Sequence, residues 1–328
     1  MTETKKTVKE KIQTIIQRSN GLFQGILVLA ILVIVITIIT PRFLSIINLT
    51  NLMAQMAPML IVASGMTMVM ISGEFDLSVG STVALTASVS AFLMHRIGVV
   101  PAVILSMMVG PALGVFNSMI ILKGKVPSFI TTLGTMMMAR SLAYVATGGK
   151  VIANVPEGFK VMGQGFVAGI PLPFVIALGC YAVGFVVLSR TAFGKKVYSV
   201  GANKTVAILS GIRADRVKLA CLVIVGLTAS FAGNILLARI GAIQADTARG
   251  LEFEVIAAVV IGGTSLYGGQ GNILRTIIGV IIIAMIRNFL NLSHINIFWQ
   301  DFATGAIIIG AVLFDILQKR IGSEKANG

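Results

Sequence analysis

Acidic side chains are scarce in this sequence. Twelve Asp and Glu stand against 26 Lys and Arg in 328 residues, and charged residues of both signs make up only 12% of the chain. A soluble globular domain carries about twice that charged fraction. Histidine and cysteine are scarcer still: His95 and His294 stand alone and far apart, and Cys180 and Cys221 lie in or beside apolar runs. Neither pair has metal-site spacing, and two such cysteines make no disulfide framework. No stretch fits G-x-x-x-x-G-K-[ST], since Gly124-Lys125 leads into Val126 and Gly149-Lys150 into Val151. A phosphate-cradling loop is therefore not expected, nor any cofactor in this chain. No nucleophile, base and orienting acid form a pattern, so no catalytic residue and no metal are expected either.

What the chain has in abundance is apolar sequence. Hydrophobic residues make up 56% of it, with a mean hydropathy of +0.95. Apolar runs recur at 22–39, 52–71, 79–94, 99–122, 127–146, 171–189, 217–238, 251–266, 270–290 and 298–316. Most approach the roughly 20 helical residues that cross a hydrocarbon core about 30 Å thick. The expected fold is all-α: a polytopic membrane protein of about ten transmembrane helices. Residues 1–21 form a polar, basic segment ahead of a membrane domain at 22–316, and 317–328 form a tail. Leu22 to Ile39 reads as a first span rather than a signal peptide, because no small-x-small cleavage site precedes Pro41. Residues 147–170, rich in Gly and Pro, are too broken to span.

The formal charge of +14 raises the question of nucleic acid. The cations sit in short loops between spans with no interleaved aromatics, so nucleic acid is not an expected partner. With the N-terminus inside, eighteen cations fall on inner segments and seven on outer ones (Arg42, Arg96, Lys150, Lys160, Arg239, Arg249 and Arg287), with Arg140 inside a span. That asymmetry favours cytoplasmic N- and C-termini. It would fail if one span were missed.

The longest polar interruption runs from Arg190 to Lys218. It holds Arg190, Lys195, Lys196, Lys204, Arg213, Arg216 and Lys218 against a single acid, Asp215. Its middle reads as a short helix, with Asn203 as N-cap and Gly211 in the left-handed closing position. A half-apolar helix outside the bilayer needs a cover. The membrane surface, the protein itself and a cytoplasmic partner all remain open.

Several polar groups sit within or between spans. Glu74, Asp76 and Ser78 lie where one span ends and the next begins. Asp76 or Ser78 is expected to cap the following helix, and the same loop is a candidate gate. Asn117, Thr131, Thr132, Thr135 and Asn234 read as interhelical hydrogen-bonding groups, or together as a weakly charged passage suited to a neutral polyhydroxylated solute. Arg140 should face the bundle interior, with Glu252 and Glu254 as candidate partners. The stretches GEFDLSVGS (73–81) and GLEFEVIAA (250–258) echo one another, as in transporters built from two repeated halves. The glycines of IGGTSLYGGQGN (261–272) mark a tight return between spans.

Three stretches, GKKVYSVGANKTVAILSGI (194–212), GEFDLSVGS (73–81) and LEFEVIAAVVIGGTSLYGGQGNILRTIIG (251–279), resemble the permeases of bacterial ABC importers of the ribose-type carbohydrate uptake class. The resemblance covers roughly residues 40 to 315. The GEFDLSVGS motif departs from the usual GGIDLSVG in having Glu74 and Phe75, which bears on the identity of the sugar. The resemblance implies a coupling helix between spans six and seven, in which Gly201, Asn203, Ala207, Leu209, Ser210 and Gly211 meet the ATPase, with Ala207 at closest approach. From the residues themselves, the candidate path or gate is Glu74, Asp76, Ser78, Asn117, Thr131, Thr132 and Asn234.

The partners it implies are a cytoplasmic ATP-binding cassette ATPase that carries the ATP and Mg, an extracytoplasmic sugar-binding protein, and a second permease copy or paralogue. All would meet in the lipid of a bacterial inner membrane. The chain itself would transport, not catalyse. A nucleoside, a signalling furanone or a branched-chain amino acid would fit the same machine. An ion-coupled secondary transporter fits less well, for want of intramembrane carboxylates.

Overall fold

The computed structural model describes residues 8–296, 298–307, 309, 310 and 313. The tail at 317–328 and the first seven residues lie outside the described residues. In chain order the helices are α1 (Val8–Ile39), α2 (Ile46–Ile71), α3 (Val79–Ile97), α4 (Val99–Met107), α5 (Val109–Leu122), α6 (Ser128–Thr147) and α7 (Glu157–Gln164). They continue with α8 (Leu172–Arg190), α9 (Ala192–Ala202), α10 (Lys204–Leu209), α11 (Ala214–Ile240), α12 (Leu251–Ile261) and α13 (Ile273–Leu292), and helical backbone resumes over 298–307. The 147–170 stretch is more ordered than its composition implies, carrying α7 and a two-stranded ribbon of β1 (Phe166–Val167) and β2 (Ile170–Pro171).

The boundaries follow local chemistry. Ser45, Thr191, Asn203 and Asn272 accept backbone N–H bonds at the starts of α2, α9, α10 and α13. Gly148 and Gly241 close α6 and α11 with positive φ. Among the described residues, five helical stretches are long and apolar enough to cross a membrane: α2, α4 with α5 as one run, α8, α11 and α13. The apolar part of α1, Gly25–Ile39, is shorter. Helix α3 is rich in Ser and Thr, yet most of it is buried, packed on α6, α11 and α4. Neighbouring helices thus shield its hydroxyls from lipid.

α2 and α11 form the centre, running antiparallel: Gly65 lies on Val225 and Thr228, while Ser72 reaches Cys221. α3 runs parallel to α11, as Thr86–Ser230 (3.0 Å) and Ser90–Asn234 (2.7 Å) pair in one register. Each central helix thus leads through a connection into a helix that packs on the other, α2 into α3 and α11 into α12. The echoed motifs enter the starts of α3 and α12, which lie side by side: Gly80 rests on the Glu252 carboxylate and the Ala248 carbonyl. This is an inverted pair of units.

The apolar run at 251–266 is not one span. α12 has 11 residues, about 16 Å of helix and half a hydrocarbon core. It begins beside Gly80, and residues 241–250 return there from the far end of α11 as turn and extended chain. Protein covers this connection in part, with Ile243 and Ala245 buried and Gln244 and Arg249 exposed. Arg140 supplies part of that cover, donating to the carbonyls of Ala245 (2.7 Å) and Thr247 (2.8 Å).

Close approach between α5 and α11 rests on two glycines facing one another. A Cβ on Gly110 would strike the Gly226 carbonyl, and one on Gly226 the Gly110 carbonyl. Gly226→Ile is therefore expected to abolish monodisperse protein on size exclusion. Gly134→Ala in α6 should keep yield and leave the melting temperature equal or slightly raised, since nothing lies near the added methyl and alanine favours helix. Equal behaviour of the two variants would contradict the packing described.

Candidate functional site

The three motif stretches converge at one end of the bundle. The Gly269 N–H donates to the Ile71 carbonyl (2.8 Å), joining the glycine turn to the end of α2. Gly268 and Gly269 hold φ of +82 and +72, which favour glycine. Gly201, near the end of α9, fits against Ile71 and Gly269 so closely that a Cβ would overlap both backbones. Gly268 lies on Gly73 and on the Gly201 carbonyl, and Gly269 on Ala202. The Tyr198 hydroxyl donates to the Gly271 carbonyl (2.9 Å). Lys218 of α11 pairs with Glu74 at 2.6 Å, both side chains nearly buried. Glu74 is therefore engaged in holding α11 to this junction.

Beside the junction lies a connected polar network. Asp76 is buried, and its Oδ1 accepts from the Ser78 N–H (2.8 Å) and the Ser78 hydroxyl (2.5 Å). Asn117 of α5 donates to Ser78 Oγ (3.3 Å), and Thr135 of α6 donates to Asn117 Oδ1 (2.6 Å). Thr132 accepts from the Leu77 N–H (3.1 Å), while the hydroxyl of Thr131 is buried without a partner. Asp76 thus caps its own turn two residues on, rather than the first turn of α3, and Ser78 makes no capping bond. Burial pushes the Asp76 carboxyl up to about 6, against the opposing pull of its Ser78 and Asn117 hydrogen bonds.

Asn234 stands apart from that group. It sits on α11 with Ser90, Ser106 and Ser230, and both its amide atoms are satisfied there. It joins α3, α4 and α11 as an interhelical group. Arg140 hydrogen-bonds the 241–250 connection rather than a carboxylate, with Glu252 near enough to interact with it through charge, and Glu254 pairs with Arg287. Glu252 retains one buried oxygen with no hydrogen-bond partner.

The short helix in the basic loop forms where the sequence places it. Asn203 Oδ1 accepts from the Val206 N–H (3.0 Å), and Gly211 follows the helix at φ +81. Its faces differ from expectation. Ala207 is buried on the protein's own core, while Leu209 is 83% exposed and Val206 and Ile208 are more than half exposed. Ala207 is thus the anchor of α10, and the uncovered apolar surface is Val206, Ile208 and Leu209. Asn203, Ser210 and Gly211 are exposed, and Gly201 belongs to the junction behind them. The buried methyl at position 207 was missed because a six-residue helix has too short an apolar pattern to fix its inner face.

Long apolar helices with hydroxyls and amides buried between them, a half-length helix and a short helix with an uncovered apolar face together describe a multi-pass membrane protein. The sequence profile of the family described as "Branched-chain amino acid transport system / permease component" matches residues 48–312, and the chain belongs to that family. It is 39% identical over 303 residues to the ribose import permease protein RbsC of Bacillus subtilis, covering 92% of this chain and 93% of that one. It is 34% identical over 297 residues to the RbsC of Escherichia coli, covering 89% and 92%. It is also 34% identical over 298 residues to the L-arabinose transport system permease protein AraH of Escherichia coli, covering 88% and 89%. No solved structure matches the chain.

The raised Asp76 carboxyl has a stability signature. The native state binds that proton more tightly than the unfolded chain, whose ordinary value is 3.8. Stability from this group is therefore present at low pH and falls as pH rises from about 4 to about 6, by of the order of 3 kcal/mol. Asp76→Asn keeps the acceptor for Ser78 without the charge. Wild type is expected to melt progressively below Asp76→Asn across that window and at a constant offset above it. A pH-independent difference would contradict the buried carboxyl.

Proposed function

We propose that this chain is the membrane-spanning permease of an ATP-driven ABC importer that moves a monosaccharide across a bacterial inner membrane. The observation that carries this is extended similarity to ribose and L-arabinose permeases over about nine-tenths of the chain. The family description names branched-chain amino acids, but relatives matched along nearly their whole length are named for pentoses. The polar network of Asp76, Ser78, Asn117, Thr132 and Thr135 adds support, being built of hydroxyls and amides with a single acid.

In this reading the chain works as a homodimer or with a paralogue, and binds no nucleotide itself. An extracytoplasmic binding protein delivers the sugar to one face. At the other, α10 docks on an ATP-binding cassette subunit through Val206, Ile208 and Leu209. The loop's cations support a cytoplasmic position for this end and for both termini. Ten helical passages remain the proposed count, with 241–261 crossing as extended chain plus α12. ATP-driven closure of the cassettes pushes α10, and the glycine junction passes the movement to α2, α11 and α12 as a rigid body.

Leu209→Asp and Val206→Asp should insert normally but lose the co-purified cassette subunits, because an unpaired charge in an apolar contact costs several kcal/mol. Gly211→Val should weaken assembly less, through positive-φ strain of roughly 1 kcal/mol in otherwise open space. Full assembly and wild-type uptake by Leu209→Asp would remove α10 as the docking element. Orientation has its own test. Gly158→Cys should react with an impermeant thiol reagent in intact cells and Lys204→Cys should not; the reverse pattern inverts the topology.

A further inference from the structure

At the opposite end from the glycine junction, a cavity of about 230 Å³ opens between the start of α2, the end of α7, β1 and the end of α11. Its polar lining is Thr50, Asn51, Gln55, Gln164 and Arg239, with Phe166 as an apolar wall. The volume equals about eight waters at about 30 Å³ each. It suits a small solute rather than a peptide segment.

Arg239 is the anomaly. Its Nε is buried without a hydrogen-bond partner, and no carboxylate among the described residues pairs with it. The neighbouring Arg287 is taken by Glu254. The position is tightly built. Gly163 lets α7 lie directly on the Arg239 backbone, and the Gln164 amide donates to the Arg239 carbonyl (3.0 Å). A largely buried cation left unpaired is costly, and such groups in membrane proteins mark ligand paths. Around it, the side chains of Asn51 and Gln55 are exposed at the rim of the cavity, and Phe166 is 61% exposed.

We propose that this cavity is a receiving subsite for a neutral polyhydroxylated solute, distinct from the Asp76 network. The guanidinium donates to hydroxyl oxygens, the amides of Asn51 and Gln55 both donate and accept, and the Phe166 ring covers the C–H face of the solute. Among the described residues the cavity lining contains no acid, and Arg239 is the one charged group among neutral ones. The inference rests on the reading of the chain as a monosaccharide permease, and deepens it by naming where solute first meets the membrane subunit.

The test uses the full-length chain in lipid nanodiscs, with D-ribose and L-arabinose followed by saturation-transfer NMR. Saturable binding is expected with a dissociation constant of the order of 1 mM. Arg239→Leu and Phe166→Ala should each weaken it roughly tenfold, the loss of one hydrogen bond or one apolar contact. Asn51→Ala, at an exposed position, keeps the test valid should the other two fail to fold, and should weaken binding in the same direction. The absence of saturable sugar binding, or binding unchanged in the folded variants, would overturn the subsite. So would saturation by acetate in place of sugar, which would make Arg239 a receptor for a partner's carboxylate. Uptake by the intact transporter separates the two readings. Import of pentose with no subsite binding sinks only the subsite, and no import of any monosaccharide sinks the permease assignment.

Discussion

The arrangement depends on backbone meeting backbone at the glycine junction. With Gly269 bonded to Ile71, and Gly201 and Gly268 pressed against the same strands of chain, three segments far apart in sequence have no side chains between them. Interiors packed at this density transmit displacement instead of absorbing it. The buried Lys218–Glu74 pair ties α11 into the same knot. Its worth lies in what its loss would do: removing one partner leaves a buried charge, at a cost of about 3–5 kcal/mol. α10 protrudes directly from this knot, capped by Asn203 and anchored by Ala207.

Above the knot, the bundle handles polar groups by satisfying them between helices. Thr86 with Ser230, Ser90 with Asn234, and Asn48 with Asn288 cross helix boundaries where apolar contacts alone would not distinguish one register from another. The connection that leads into the half-length α12 is irregular backbone. Arg140, a cation that would be costly against lipid, serves there as a donor to two otherwise stranded carbonyls. The same logic explains why α3 tolerates so many hydroxyls, since most of its surface faces protein.

Much of this was legible in the sequence. Each of the ten apolar runs contains helix, and the cap and glycine chemistry around Asn203 and Gly211 gave α10 to within a residue or two. The echo between 73–81 and 250–258 has a counterpart in two helices that start side by side. What escaped was what depends on long-range placement. Hydropathy sees 251–266 as one run, because half-helix and glycine turn are equally apolar. Helical spacing gave no inner face for α10. The partners of Glu74 and Arg140 are set by helix register 144 and 105 residues away. Arg239 gave no signal at all, since an outer-loop cation and an unpaired buried one look alike in a sequence.

The central claim is that the junction carries movement between α10 and the spans, and Gly201→Val tests it most directly. The substitution leaves the exposed face of α10 untouched but inserts a side chain where Ile71 and Gly269 now meet Gly201. In the assembled transporter, the account predicts that this variant keeps its cassette subunits and their basal ATP hydrolysis while pentose uptake is lost. Uptake at the wild-type rate, with ATP hydrolysis still stimulated by the loaded binding protein, would contradict it.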